Sequence, residues 1–454
     1  MMDIREILKA TAGRLISGSP ETRVDPASIS IDSRTIGPGQ FFIPIKGLNF
    51  NGEEFIEAAF KKGAMGTFTT QLSIPGDQRG KVIIRVKDTM VALQRLAHYN
   101  RTRFTCPVIG VTGSNGKTTV KDMIAKVLSQ KYNVLKNEGT KNNHIGLPLT
   151  LLKLNHSHDM CVVEMGTNHR GEIRLLAQIA LPTVAVMTNI GPSHLEYLRD
   201  LKGVFAAKRE ILESLGRGSL AVINGDDEYL STIKSKVFKV MKFGFNDTND
   251  FHASGISVDG TGIGFTLNDS SHFTLNLIGA HNVSNALAAI SVAYNFDISY
   301  RDTKKALSEY SPSDMRLDAI RVGDVTVIDD AYNSNPSSMR SAIEALADYP
   351  AKGRWVVSAD MLELGRKEEE FHKAVGEAIA RSGFSGLITF GDLSRHTSRR
   401  ALECGMDKNK IWHCSDRAKI ADILKKSMEK GDAVLVKGSR AMKMEEVIEN
   451  LKVR

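Results

Sequence analysis

Cysteine is scarce in this chain: Cys106, Cys161, Cys404 and Cys414 are the only four among 454 residues, and no two form a CxxC pair. A disulfide framework or a thiolate zinc cluster is therefore not expected, and the pattern suits a reducing compartment. Long apolar runs are also missing. No window holds about 18 uninterrupted apolar residues, so no transmembrane segment is expected. The N-terminus lacks the apolar stretch of a signal peptide: residues 1–14 are amphipathic and include Asp3 and Glu6, which points to a cytoplasmic protein. Aromatic residues make up only 6%, too few for a platform that stacks single-stranded bases. There is no internal repeat, no low-complexity tract, and no basic tail or stripe.

What is present fits an ordinary globular protein. Hydrophobic residues are 42% and charged residues 25%, enough to bury several cores and to exclude disorder as the main state. Lys+Arg exceed Asp+Glu by 60 to 52, a net charge of +8. Because these cations are dispersed, small anionic substrates fit better than nucleic acid. The length suggests about three domains. A polar stretch at 100–107 and a turn-rich stretch at 310–314 look like joints, dividing the chain into 1–104, 105–312 and 313–454.

The middle segment opens on the apolar run Val108–Thr112, followed by a glycine-rich turn and a helical pattern from about 118 to 130. Further strands are expected at 160–164, 184–188 and 220–223, with helices between, the rhythm of a parallel sheet covered by helices. Residues 251–277 break that rhythm with short alternating runs, read as a small β insertion. The last segment predicts strands at 325–328, 355–358, 387–390 and 433–436 and helices at 337–348, 368–381, 394–403 and 441–452, a second doubly wound α/β domain. The first segment is mixed.

The sharpest motif is Gly113-Ser114-Asn115-Gly116-Lys117-Thr118-Thr119, placed between a strand and a helix. Small residues let the backbone curl its N–H groups toward phosphate oxygens at a helix N-terminus. Lys117 would reach the β- and γ-phosphates and the Thr118 hydroxyl would meet Mg²⁺. Val111 stands where the longer GxxxxGK[ST] loop has glycine, so this is the short GxxGKT form, unlike that of GTPases and motor ATPases.

Other candidates are weaker alone. Glu164 ends an apolar strand, where open sheets face their ligand crevice, and suits either Mg²⁺ or a surface position. His194 follows the next strand and fits a metal ligand, a phosphate ligand or a structural histidine. Lys208 reads as an exposed helix lysine. Asp32 and Arg34 suit a surface ion pair, and Asn142, Asn143, Asn333 and Asn335 suit turns.

Together these residues resemble the Mur ligases, ATP-dependent enzymes that add amino acids to a cell-wall precursor, and the resemblance covers nearly the whole chain. The opening stretch with Ser33, Arg34, Phe42, Lys46 and Asn51 resembles the family's uridine-nucleotide-binding domain. The loop, Glu164 and His194 match its central domain, and His281, Asn282 and Asn285 resemble its adenine-binding stretch. Arg316 and Asp330 match its C-terminal nucleotide contacts. The order and spacing of 142–150, 164–168, 329–336, 360–365 and 436–440 are similar to the member that uses D-alanyl-D-alanine.

The resemblance implies an α/β protein of three domains: a mixed N-terminal substrate-binding domain, a central P-loop ATPase domain with a parallel sheet, and a C-terminal Rossmann-like domain. It implies ATP and Mg²⁺, an acyl phosphate formed on UDP-N-acetylmuramoyl-tripeptide, attack by the D-alanyl-D-alanine amine, and a monomer that closes on its substrates. Arg316 would then steady developing charge, and Asp330 would hold ribose or phosphate. Asn142, Asn143, Tyr332, Asn333 and Asn335 would face substrate. Thr118, Glu164, His194 and Lys208, the last as a CO₂-derived carbamate, would hold metal. Three positions depart from the family: Ser114 for the commoner threonine, His144 for an acidic residue, and Ala359 for glycine.

Overall fold

The computed structural model describes residues 1–47, 49–74, 78–259 and 262–452. Three main sheets follow one another along the chain. The first has five strands in the order Arg14–Ser17, Val82–Arg85, Gly66–Thr69, Phe41–Phe42 and Ile29–Ser30, mostly parallel with one antiparallel edge. Its Phe41, Phe68 and Ile84 turn into a core shared with helix Thr89–Thr102 and with the central segment.

The central sheet has nine strands. Val108–Thr112 lies between Met160–Glu164 and Val184–Met187, flanked by Val134–Lys136 on one side and by Leu220–Asn224 and Lys239–Gly244 on the other, all parallel. The three innermost strands are apolar along almost their whole length, as burial on both faces requires. The expected insertion at 251–277 is part of the same sheet: Phe251–Val258 pairs in parallel with Lys239–Gly244, then Ile263–Leu267 and Ser271–Leu275 fold back antiparallel. Residues 260 and 261 of that stretch lie outside the described residues. The reason is packing. Phe251, Ile263, Phe265, Phe273 and Leu275 bury against helix His281–Asn295 in the same core as the loop helix Lys117–Leu128.

The third sheet orders Asp318–Val322, Val325–Asp330, Ala433–Lys437, Arg354–Ala359, Gly386–Phe390 and Ile411–Cys414, parallel except at its first edge. Helices Pro336–Asp348, Glu368–Arg381 and Ser394–Glu403 fall where the periodicity places them. The last helix starts later than expected, at Glu445, because Lys443 takes a left-handed φ of 49° and ends the short turn Arg440–Met442. Strand Ile411–Cys414 and helix Arg417–Ser427 were not anticipated from the pattern.

The stretch at 100–107 is no free joint. Helix Thr89–Thr102 runs into it, and Arg101 donates to the carbonyls of Ala180 (2.9 Å) and Cys106 (3.0 Å) while Asn100 donates to that of Leu151 (2.8 Å).

Candidate active site

The glycine-rich loop joins the C-terminal end of strand Val108–Thr112 to helix Lys117–Leu128. Its shape depends on two glycines. Gly113 has φ 150°, and a Cβ there would lie 1.9 Å from the Thr188 hydroxyl. Gly116 has φ 79°, and a Cβ would lie 2.4 Å from Asn285 Oδ1. Neighbouring strand ends brace the loop: the Ser114 amide donates to Asn189 O (2.9 Å), its hydroxyl to Gly191 O (2.9 Å), and the Asn115 amide to Asn189 Oδ1 (3.0 Å). Lys117 folds back, donating to Gly113 O (2.9 Å) and Ser114 O (3.1 Å). Burial lowers its pKa, and Arg316 adds to this while Glu164 opposes it.

Glu164 sits at the end of the adjacent strand and is 1% exposed. It is no surface glutamate. Oε2 accepts from the Thr118 hydroxyl (2.7 Å), Oε1 from Asn142 Nδ2 (2.7 Å), and its amide donates to Asn137 Oδ1 (2.9 Å). Asn143 shapes a turn, accepting from the Ile145 (3.1 Å) and Gly146 (2.9 Å) amides.

His194 lines the same cavity with a left-handed φ of 52°, and its Nδ1 lies 2.5 Å from Glu363 Oε2. Lys208 overturns the expectation of an exposed lysine. Helix Leu201–Lys208 ends on it, it is 2% exposed, and its side-chain amine has no hydrogen bond or ion pair among the described residues. Burial, reinforced by the positive charge of Lys117, pushes its pKa well below the ordinary lysine value.

The opposite wall comes from the third segment. Arg316 lies over the Tyr332 ring at 4.2 Å. Asp330 ends strand Val325–Asp330 and pairs with buried Lys437 (2.5 Å), which also donates to Asn333 O (2.9 Å). Burial raises the Asp330 pKa against the pull of Lys437. Asn335 caps helix Pro336–Asp348 and donates to Asn115 Oδ1 (2.7 Å), while Asn115 Nδ2 reaches the Ser337 hydroxyl (2.8 Å). From helix His281–Asn295, Asn285 donates to Asn282 (2.9 Å), and burial lowers the His281 pKa to about 4.

One cavity of about 660 Å³ is thus lined by Ser114 to Thr119, Glu164, His194, Asn142 and Asn143, by His281, Asn282 and Asn285, and by Arg316, Asp330, Tyr332, Asn333 and Asn335. Lys437, Asn189 and Arg340 also line it. They carried no role in the sequence reading, although Lys437 stood within a quoted motif at a strand end. His144, another of the departures, lines the cavity too.

The N-terminal candidates lie outside this cavity. Arg34, with its side chain 86% exposed, makes a two-point pair with Asp32 (2.9 and 2.7 Å) and holds the Asp32 carboxyl down at about 2. Lys62 donates to the Ser33 (3.0 Å) and Arg34 (2.7 Å) carbonyls. Lys46 and Asn51 face each other in a bridge, and Asn51 caps the turn Gly52–Phe55. The Phe42 side chain is buried among Ile36, Ile56, Phe60 and Ile83.

Three family models match: "Mur ligase family, catalytic domain" over residues 27–101, "Mur ligase middle domain" over 111–293, and "Mur ligase, glutamate ligase domain" over 315–440. The chain is 37% identical to the UDP-N-acetylmuramoyl-tripeptide–D-alanyl-D-alanine ligase of Bacillus subtilis, covering 99% of this chain and 98% of that one. It resembles the crystal structure of MurF from Acinetobacter baumannii, with a TM-score of 0.90, 29% identity and coverage of 100% and 99%. MurF ligase from Thermotoga maritima, solved in complex with ADP, gives a TM-score of 0.83 at 27% identity, covering 95% and 98%.

Proposed function

The chain belongs to the Mur ligase family, and we infer that it joins D-alanyl-D-alanine to UDP-N-acetylmuramoyl-tripeptide, forming the pentapeptide precursor of peptidoglycan while ATP becomes ADP and phosphate. The observation that carries this reading is the single cavity where the phosphate loop and Glu164 face Arg316, Asp330 and Lys437 from the third segment. Full-length relatives that bear this activity in their names support it. The reaction belongs in the cytoplasm, with a monomer as the working unit. Residues 1–104 are assigned to the UDP-sugar end, 105–312 to ATP and 313–454 to the ligation half.

An amide does not form from a carboxylate and an amine at neutral pH without activation. Transfer of the γ-phosphoryl group to the tripeptide carboxylate gives an acyl phosphate, which the dipeptide amine attacks with loss of phosphate. Such transfer needs positioning and charge neutralisation more than covalent help from the protein. The loop amides and Lys117 hold the phosphates. Lys117 exchanges its bonds to Gly113 O and Ser114 O for phosphate oxygens. Arg316 steadies charge that builds during transfer, and Asp330, fixed by Lys437, accepts from the nucleotide. Asn142 and Tyr332, which line the same cavity, would face substrate.

The donor set suits Mg²⁺. No group of three or more His, Cys, Asp or Glu side chains converges among the described residues, but a buried hydroxyl and carboxylate 2.7 Å apart beside a phosphate site match a cation that keeps water and phosphate as its other ligands. Thr118 and Glu164 would hold it, and it would neutralise phosphate charge. A second cation would take His194 and Lys208. A lysine ammonium cannot ligate, but a buried amine held toward neutrality can add CO₂ and become an anionic carbamate.

The test is Mg²⁺-ATP phosphate release with UDP-N-acetylmuramoyl-tripeptide, with and without D-alanyl-D-alanine. Release that needs both, with a pentapeptide product by mass, is the expected result. Release that ignores the dipeptide would sink the assignment.

A further inference from the structure

The segment 360–365 enters no step above, yet it reaches the active site from the third domain. Its loop is anchored firmly. Met361 and Leu364 are buried, the Met361 amide donates to His372 Nε2 (3.0 Å), and the Leu362 amide donates to Ser439 Oγ (2.9 Å). From that base Glu363 projects across the domain boundary with a left-handed φ of 61°, a state that a glutamate adopts only where its surroundings hold it. It makes two contacts with the central domain: its carboxylate lies 2.5 Å from His194 Nδ1, and its carbonyl accepts from the Glu196 amide (3.1 Å). Gly365 follows at φ 62° and packs on the Glu196 backbone, while Phe371 from the next helix packs on Leu195 and Leu198.

The chemistry of that contact is directional. A carboxylate accepts a hydrogen bond from Nδ1–H, which keeps the proton on Nδ1, leaves Nε2 as the ring's free ligand nitrogen and fixes the imidazole plane. Histidines that hold metals are commonly oriented by such a carboxylate. Here the carboxylate and the histidine belong to different domains. We propose that Glu363 is a positioning residue that couples docking of the third domain to the metal site, by orienting His194 for the cation. The proposal rests on the reading of His194 as a metal ligand, so its test measures metal binding apart from ligation.

Mn²⁺ serves as the probe, titrated onto the full chain with AMPPCP and bicarbonate present and followed by electron paramagnetic resonance. E363A should weaken Mn²⁺ binding about 10–100-fold, the range found when a carboxylate behind a metal histidine is lost. H194A should weaken it at least as much, and the double variant should lose no more than H194A alone, because the two residues act as one unit. In turnover, kcat of E363A should fall by a similar factor while KM for the UDP-tripeptide stays within about twofold. Should E363A fold poorly, E363Q preserves volume and isolates the charge. Mn²⁺ affinity within twofold of wild type in a folded variant would overturn the proposal, as would tighter binding, which would make the contact a block. A wild-type protein that binds Mn²⁺ but ligates nothing would sink the ligase reading and leave the coupling measurable.

Discussion

Two buried groups carry consequences that can be worked out one residue at a time. Lys208 has no acceptor among the described residues, and burial together with Lys117 favours its neutral amine. A neutral amine at neutral pH is the form that reacts with CO₂. With ¹³C-bicarbonate, the wild type should show a carbamate carbonyl resonance that is absent from K208M. K208R should lose about 10²–10³ in kcat, the loss expected when one charge-stabilising group is removed, since arginine cannot form the carbamate. Full activity in K208R without a resonance in the wild type would refute the assignment. Asp329 offers a test in pH. Burial, with Asp330 and Asp318 nearby, lifts its pKa from 3.8 to about 6, while its Oδ1 accepts from the Ala331 amide. The folded state therefore keeps a proton that the unfolded chain has lost between those values. Its contribution is fully present below 3.8 and is lost as pH rises through 6. D329N keeps the acceptor and removes the titration, so its Tm advantage over wild type should grow between pH 5 and 7.5, by the equivalent of about 1–3 kcal/mol. A pH-independent difference would contradict the shift.

Among the elements, the helix after the phosphate loop does more than present an N-terminus. Lys121 on that helix is 1% exposed and donates to the carbonyls of Asn137 (2.9 Å) and Gly139 (3.1 Å), pairing also with Asp122 (3.3 Å). Asn137 in turn receives the Glu164 amide, and Asn142 holds the Glu164 carboxylate. One buried cation thus clips the 137–143 segment to the nucleotide helix. K121M should leave buried carbonyls unpaired, lowering stability by about 1–3 kcal/mol, and should speed hydrogen exchange across 137–143. Unchanged exchange there would dismiss the clip. This element also shows what a sequence discloses. The loop, Glu164 and the alternating strands were legible because glycine geometry and apolar runs are local signals. Lys208 reads as a helix-surface lysine and Lys121 carries no local signal, since burial of a charge is decided by which face the rest of the fold covers. Strand Ile411–Cys414, with two partly exposed residues and an exposed His413, sits on a sheet edge and carries too weak an apolar run to stand out.

Across the whole molecule, the two domain seams differ in kind. The seam between the first and central sheets is apolar and continuous: Leu93, Leu96 and Ala97 of helix Thr89–Thr102 share one core with Leu147, Leu151 and Leu176. Arg101 and Asn100, both buried, stitch it further. The third domain has cores of its own, and apart from Phe371 on Leu195 and Leu198 its contacts at the cavity are polar: Asn115 with Asn335 and Ser337, and His194 with Glu363. Polar contacts exchange with water at small net change in free energy, whereas parting an apolar seam exposes surface at about 25 cal/mol per Å². The sequence marked both 100–107 and 310–314 as joints, because proline and polar residues look alike in a hinge and in a buried helix end. The packing separates them, and closure on nucleotide should bend the chain at 310–314 alone. Dye pairs make the test. One pair would span the first and central domains, the other the central and third, with AMPPCP, Mg²⁺ and UDP-N-acetylmuramoyl-tripeptide added together. Transfer efficiency should change in the second pair and stay flat in the first. A change in the first pair would mean that the apolar seam yields, and that the substrate-binding end moves with the nucleotide site.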